Sequence, residues 1–131
     1  MYDFIIVGAG SAGCVLANRL SADPSNKVLL LEAGGRDINP LIHMPAGIGR
    51  LAGNETVNWG FLTEPEPRLN NRRLWWPRGR VLGGSSSINA MCYIRAQPED
   101  YDHWAELGSS GWSFAEVLPY FLRSQQQERG A

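Results

Sequence analysis

Gly8, Gly10 and Gly13 stand in the spacing GxGxxG, directly after the apolar run Phe4-Ile5-Ile6-Val7. Each glycine has its own task in such a loop. Gly8 permits a tight turn, Gly10 lets backbone approach a pyrophosphate, and Gly13 lets a helix lie close on a strand. The N-terminus of the helix that follows offers unpaired N–H groups and a positive dipole end, so an anion can bind without a basic side chain. Glu32 closes the next apolar run, KVLLL, nineteen residues beyond Gly13. A carboxylate at that distance accepts from a ribose 2′-hydroxyl and repels a 2′-phosphate. The chemistry predicted is dinucleotide binding. The rival, glycines used for tight packing alone, leaves Glu32 unexplained.

A second glycine pair lies in GRVLGGSSSINAMCYIR, from Gly79 to Arg95. Two uses fit its composition: a backbone approached by something flat or anionic, with serine hydroxyls as donors, or a buried turn leading into a short helical run. GxSxG occurs at neither Ser11 nor Ser85 to Ser87, which argues against a nucleophilic serine. The GK[ST] ending of a P-loop is absent as well. His43 in a proline-rich loop and His103 on an acidic helix read as structural or solvated residues.

The elements that must position these residues follow from local pattern. Phe4 to Val7 reads as a strand buried on both faces. From Ser11, SAGCVLANRLSAD carries Val15, Leu16, Arg19 and Leu20 at helical spacing and stops at Asp23-Pro24. KVLLL, Lys27 to Leu31, is a second strand, broken by Ala33-Gly34-Gly35. Strand, helix and strand within about thirty residues make one βαβ unit. Between Arg36 and Arg80 no period is sustained, and Pro40, Pro45, Pro65, Pro67 and Pro77 interrupt the chain. Long irregular stretches of this kind are often functional. Pro98-Glu99-Asp100 opens a helix to about Leu107. Ser113 and Glu116 have capping-box spacing for a last helix, kinked or shifted by Pro119.

With 131 residues, 44% hydrophobic and 19% charged, the chain is globular and of single-domain size. A net charge of -1 excludes a global field for nucleic acid or an anionic membrane. The local exception is RLNNRRLWWPRGR, with five basic residues and no acid; its arginines are expected to meet Glu64 and Glu66 while its tryptophans fill a core. Cys14 and Cys92 have no close spacing, so buried reduced thiols are expected rather than a disulfide or a metal site. Asn54-Glu55-Thr56 reads as a surface turn, and the first apolar run is far too short to span a bilayer. A cytoplasmic protein is expected.

DFIIVGAGSAGCVLANRLS, LLLEAG, NWGFLTEPEP, PRGRVLGGSSSINAMCYIR and GWSFAEVLPYF together resemble the glucose-methanol-choline (GMC) flavoprotein oxidoreductases, particularly their choline and alcohol dehydrogenase branches. The resemblance covers almost the whole chain. It implies an α/β fold, a partial Rossmann-like FAD-binding domain made of a βαβ unit, a long irregular segment and C-terminal helices. FAD is the implied cofactor. Its ADP half is expected at Gly8, Gly10, Ser11, Ala12, Gly13, Glu32 and Ala33. Val81, Asn89, Ala90, Met91 and Cys92 are expected beside the pyrophosphate or isoalloxazine ring through backbone contacts, and Trp59 of NWGF either lines the flavin pocket or packs in a core. Some members bond FAD to a histidine in the second motif; Ile88 stands at the similar position here, which implies noncovalent flavin.

In the family, a base takes the hydroxyl proton of an alcohol while hydride passes to flavin N5, and that base is similar to a histidine in the C-terminal part of full-length members. Neither His43 nor His103 matches its motif, so no catalytic residue is assigned. Residues 1–131 are expected to form an incomplete FAD-binding domain, the amino-terminal portion of a longer architecture, with self-association through uncovered apolar faces. A small alcohol would be the substrate of the complete enzyme. The alternatives are a noncatalytic dinucleotide-binding module and a truncated remnant acting through protein contacts.

Overall fold

The computed structural model describes residues 1–125. Strand β1 (Phe4–Val7) and strand β2 (Val28–Leu31) pair in parallel with Phe4 beside Val28 and Val7 beside Leu31, and helix α1 (Ser11–Leu20) connects them. This is the βαβ unit that the apolar runs predict. α1 packs on both strands. The expectation of a doubly covered strand is not met: Ile6 is buried, while Ile5 is 61% and Val7 83% exposed. Among the described residues β1 has β2 as its one partner and α1 as its one covering helix.

The stretch without a period contains short elements: 3₁₀ turns at Pro40–His43 and Pro45–Gly47, helix α2 (Ile48–Leu51), and a two-residue antiparallel ribbon, strand β3 (Phe61–Leu62) against strand β4 (Trp75–Trp76). Prolines begin both turns, where their missing N–H costs nothing. Asn54 Oδ1 accepts from the N–H and hydroxyl of Thr56 at 2.9 and 2.6 Å, which makes the expected turn. The core of this part is Leu51, Val57, Val81 and Ile88, flanked by Leu41 and Ile42. Each such side chain contributes about 1.5–3 kcal/mol by leaving water.

Trp75 and Trp76 do not fill a core, contrary to expectation; they are 48% and 47% exposed. A two-stranded ribbon supplies no second layer to cover them. Both cysteines are exposed, which corrects the expectation of buried thiols. Cys14 lies off the covered side of α1, where Gly13 is the buried residue.

The chain divides into two compact units, the first ending at Cys92. In the second, helix α3 (Pro98–Glu106) and helix α4 (Phe114–Ser124) both open with capping boxes, Gln97 with Asp100 and Ser113 with Glu116. Tyr101 is buried, with its ring 5.9 Å from that of Phe114 and 5.8 Å from that of Phe121. α4 runs through Pro119 to Ser124. No helix among the described residues is long and apolar enough to cross a membrane.

Candidate functional site

Three segments of the first unit converge on the turn between β1 and α1. Gly8 leaves the strand with φ +95 and donates its N–H to the Leu31 carbonyl at 2.7 Å. Gly10 is the N-cap of α1, and no side chain caps the helix. Cys14 donates to the Gly10 carbonyl at 2.9 Å. The amides of Ser11, Ala12 and Gly13 therefore lie in the first turn, without an acceptor inside the helix and at its positive end.

The glycines differ in what they are for. A Cβ on Gly13 would run into the Gly8 carbonyl, so its role is the close approach of helix to turn. Gly10 has an ordinary φ of -76 and nothing within 4 Å of the place a Cβ would occupy. Neither strain nor packing demands glycine there. What a side chain at Gly10 would obstruct is open space.

Glu32 is half-buried at the end of β2. Its Oε2 accepts from the Ala9 N–H at 2.8 Å and its Oε1 from the Gly34 N–H at 2.9 Å. The carboxylate thus fastens the glycine turn to the end of the second strand. Each oxygen has two acceptor positions, so both can also take a hydroxyl. The sequence pattern predicts the second task and is silent on the first.

The segment from Gly79 joins the same turn. Gly83 N–H donates to the Ala9 carbonyl and Leu82 N–H to the Gly35 carbonyl, each at 2.8 Å. A Cβ on Gly84 would stand 2.9 Å from Gly10 Cα, and residues Gly84–Ser87 form a 3₁₀ turn rather than the start of a longer helix. The tight turn is present, and the backbone at Gly79 and Gly84 borders open space, while the Ser86 and Ser87 hydroxyls donate to the Gly83 and Leu82 carbonyls. Val81 is 1% exposed and belongs to the core, and its carbonyl accepts from the Gly84 N–H at 2.7 Å. Asn89, Ala90, Met91 and Cys92 follow in an exposed, irregular stretch, with Met91 N–H donating to Asn89 Oδ1 at 2.9 Å.

Between these segments is an open cleft of ≈ 580 Å³. Gly8, Gly10, Glu32 and Ala33 line it, as do Gly79, Gly84 and Ser85 from the second segment. Ser11, Ala12, Gly13, Val81 and residues 89–92 do not. Val7, Leu31, Trp59 and Arg78 complete the lining. Arg78 carried no signal of its own within a run of five basic residues.

Asn58 sets Trp59 and Arg78 in place. It is 4% exposed; its Oδ1 accepts from Arg78 N–H at 2.8 Å and Gly60 N–H at 3.0 Å, and its Nδ2 donates to the Ala52 carbonyl. Trp59 N–H donates to the Arg78 carbonyl at 2.8 Å. The Trp59 ring stacks on Phe61 at 5.8 Å, and the Arg80 guanidinium stands 5.4 Å from it.

A sequence profile described as GMC oxidoreductase matches residues 2–128. The chain belongs to the GMC oxidoreductase family. Enzymes of this family are FAD-dependent. The GMC chain is 59% identical over 129 residues to the alcohol dehydrogenase [acceptor] of Pseudomonas putida, a match spanning 98% of this chain and 23% of that protein. It is 56% identical over 128 residues to an oxygen-dependent choline dehydrogenase of Rhizobium etli (strain CIAT 652), with 98% and 23% covered. The crystal structure of pyridoxine 4-oxidase from Mesorbium loti matches with a TM-score of 0.86 at 43% identity, over 92% of this chain and 24% of that one. The GMC chain thus spans about a quarter of the length of the proteins it resembles, and its parallel β1-α1-β2 unit matches their amino-terminal part.

Proposed function

We propose that this chain is the FAD-binding part of an oxidoreductase acting on CH–OH groups of alcohols, choline-like or other primary alcohols. The observation that carries the reading is Gly10: uncrowded and unstrained, it borders the cleft at the uncapped start of α1. A backbone bared there accommodates a diphosphate, and the amides of Ser11, Ala12 and Gly13 supply donors for it. Glu32 would hold ribose hydroxyls and keep out a 2′-phosphate, with Ala33 beside it.

When bound, flavin supplies the acceptor for the hydride leaving the alcohol carbon. The chain's own part is to bind and orient. Backbone at Val81, Asn89, Ala90, Met91 and Cys92 would border the flavin end. Ile88 is buried and apolar, offers no nucleophile, and supports noncovalent attachment. His43 Nε2 is engaged with the Asp37 carbonyl at 2.6 Å, and His103 Nδ1 lies 3.6 Å from Glu106 on α3. Neither borders the cleft. The base for the alcohol hydroxyl is accordingly proposed to come from the part of the family architecture that these residues do not span.

The test is the visible spectrum of the purified chain after mixing with FAD and desalting. Flavin bands should travel with the protein, and Gly10→Val should abolish them while leaving the circular dichroism unchanged. Folded wild-type protein that emerges colourless would end the proposal.

A further inference from the structure

The sequence leads one to expect the arginines of residues 68–80 to be neutralised by Glu64 and Glu66. For Arg73 this holds, with Glu64 Oε2 at 3.5 Å. Glu66 is occupied otherwise, accepting the Arg68 backbone N–H at 3.3 Å as the cap of a 3₁₀ turn. Among the described residues, the ion pairs are Arg73 with Glu64 and His103 with Glu106. Arg78 therefore has no carboxylate partner there. Its guanidinium lies 5.1 Å from the Trp76 ring centroid and donates to its neighbour's carbonyl, Pro77 O, at 2.7 Å.

Position separates Arg78 from a surface arginine of the ordinary kind. It lines the cleft together with Gly8, Gly10 and Glu32. Its backbone is pinned by the buried Asn58, so the side chain projects from a fixed point. The cleft then holds one acid already committed to two amides and one cation committed to no acid. Helix amides alone provide partial charges, and a diphosphate carries full ones. A guanidinium adds two parallel donors and a permanent charge.

We propose that Arg78 is the anion-binding side chain of this cleft, pairing with a phosphate oxygen of the nucleotide. The proposal rests on the cleft being the FAD site. It is tested by titrating FAD into the purified wild-type chain, Arg78→Gln and Arg78→Lys, following flavin fluorescence at rising sodium chloride, with circular dichroism to confirm folding. Arg78→Gln should bind about tenfold more weakly and with a flatter salt dependence, while Arg78→Lys keeps the wild-type slope with intermediate affinity. Equal affinity in wild type and Arg78→Gln overturns the assignment. So does weaker binding with an unchanged salt slope, which would mark a packing role. Wild-type protein that binds no FAD at any salt overturns the cleft assignment itself, and this proposal with it.

Discussion

Asp23 accepts from the Ser25 hydroxyl at 2.7 Å and from the Ser25 N–H at 2.9 Å in the turn that ends α1. The hydroxyl first, and the amide second, hold its carboxyl below the ordinary value of 3.8. A lowered folded-state pKa stabilises above the unfolded value, and the contribution disappears as pH falls through the folded one. Ser25→Ala should therefore move the Asp23 titration upward toward 3.8, read by NMR, with the loss of stability present above that value and vanishing as pH falls through the folded one. An unmoved titration would assign the shift to something other than the Ser25 hydroxyl, such as the Ser25 N–H that alanine keeps. At this scale the glycine motif was legible because each demand is local: a positive φ at Gly8, an approach to backbone at Gly13. The fastening task of Glu32 was not, because the Ala9 amide reaches it only through folding, across 23 residues of chain. Exposure of Cys14 and the free charge of Arg78 were hidden for the same reason.

Elements with a period or a cap could be found in the sequence. β1, α1, β2, α3 and α4 each stand where an apolar run, helical spacing, a proline followed by acids, or a capping box places them. β3 and β4 are two residues each, too short for any period, and their pairing is set from the neighbouring backbone instead. There Asn58 takes the part that a longer ladder would play. Asn58→Leu would leave the Arg78 and Gly60 amides and the Ala52 carbonyl without their partner. These three hydrogen bonds are part-buried, so water reaches some of the groups left behind, and the variant should lose about 1–3 kcal/mol in denaturant titration. A loss within about 0.5 kcal/mol would mean that water replaces the amide at no cost.

For the whole molecule, the exposed apolar side chains set the expectation. Ile5 and Val7 on β1, Ile38 and Ile94 are all more than 60% exposed, the highest being Val7 at 83%. Scattered apolar residues are ordinary, but two on one strand beside exposed Leu31 form a face. The purified chain should bind a hydrophobic dye and sediment faster as concentration rises, and Ile5→Lys with Val7→Lys should reverse both. Concentration-independent monomer behaviour would contradict this. The fastening by Glu32 has a separate result for anyone redesigning the nucleotide preference proposed for this site. Exchanging this acid for a neutral or basic group to admit a phosphorylated sugar would also release the loop that greets it, so a successful swap must bring its own replacement clasp for Ala9 and Gly34.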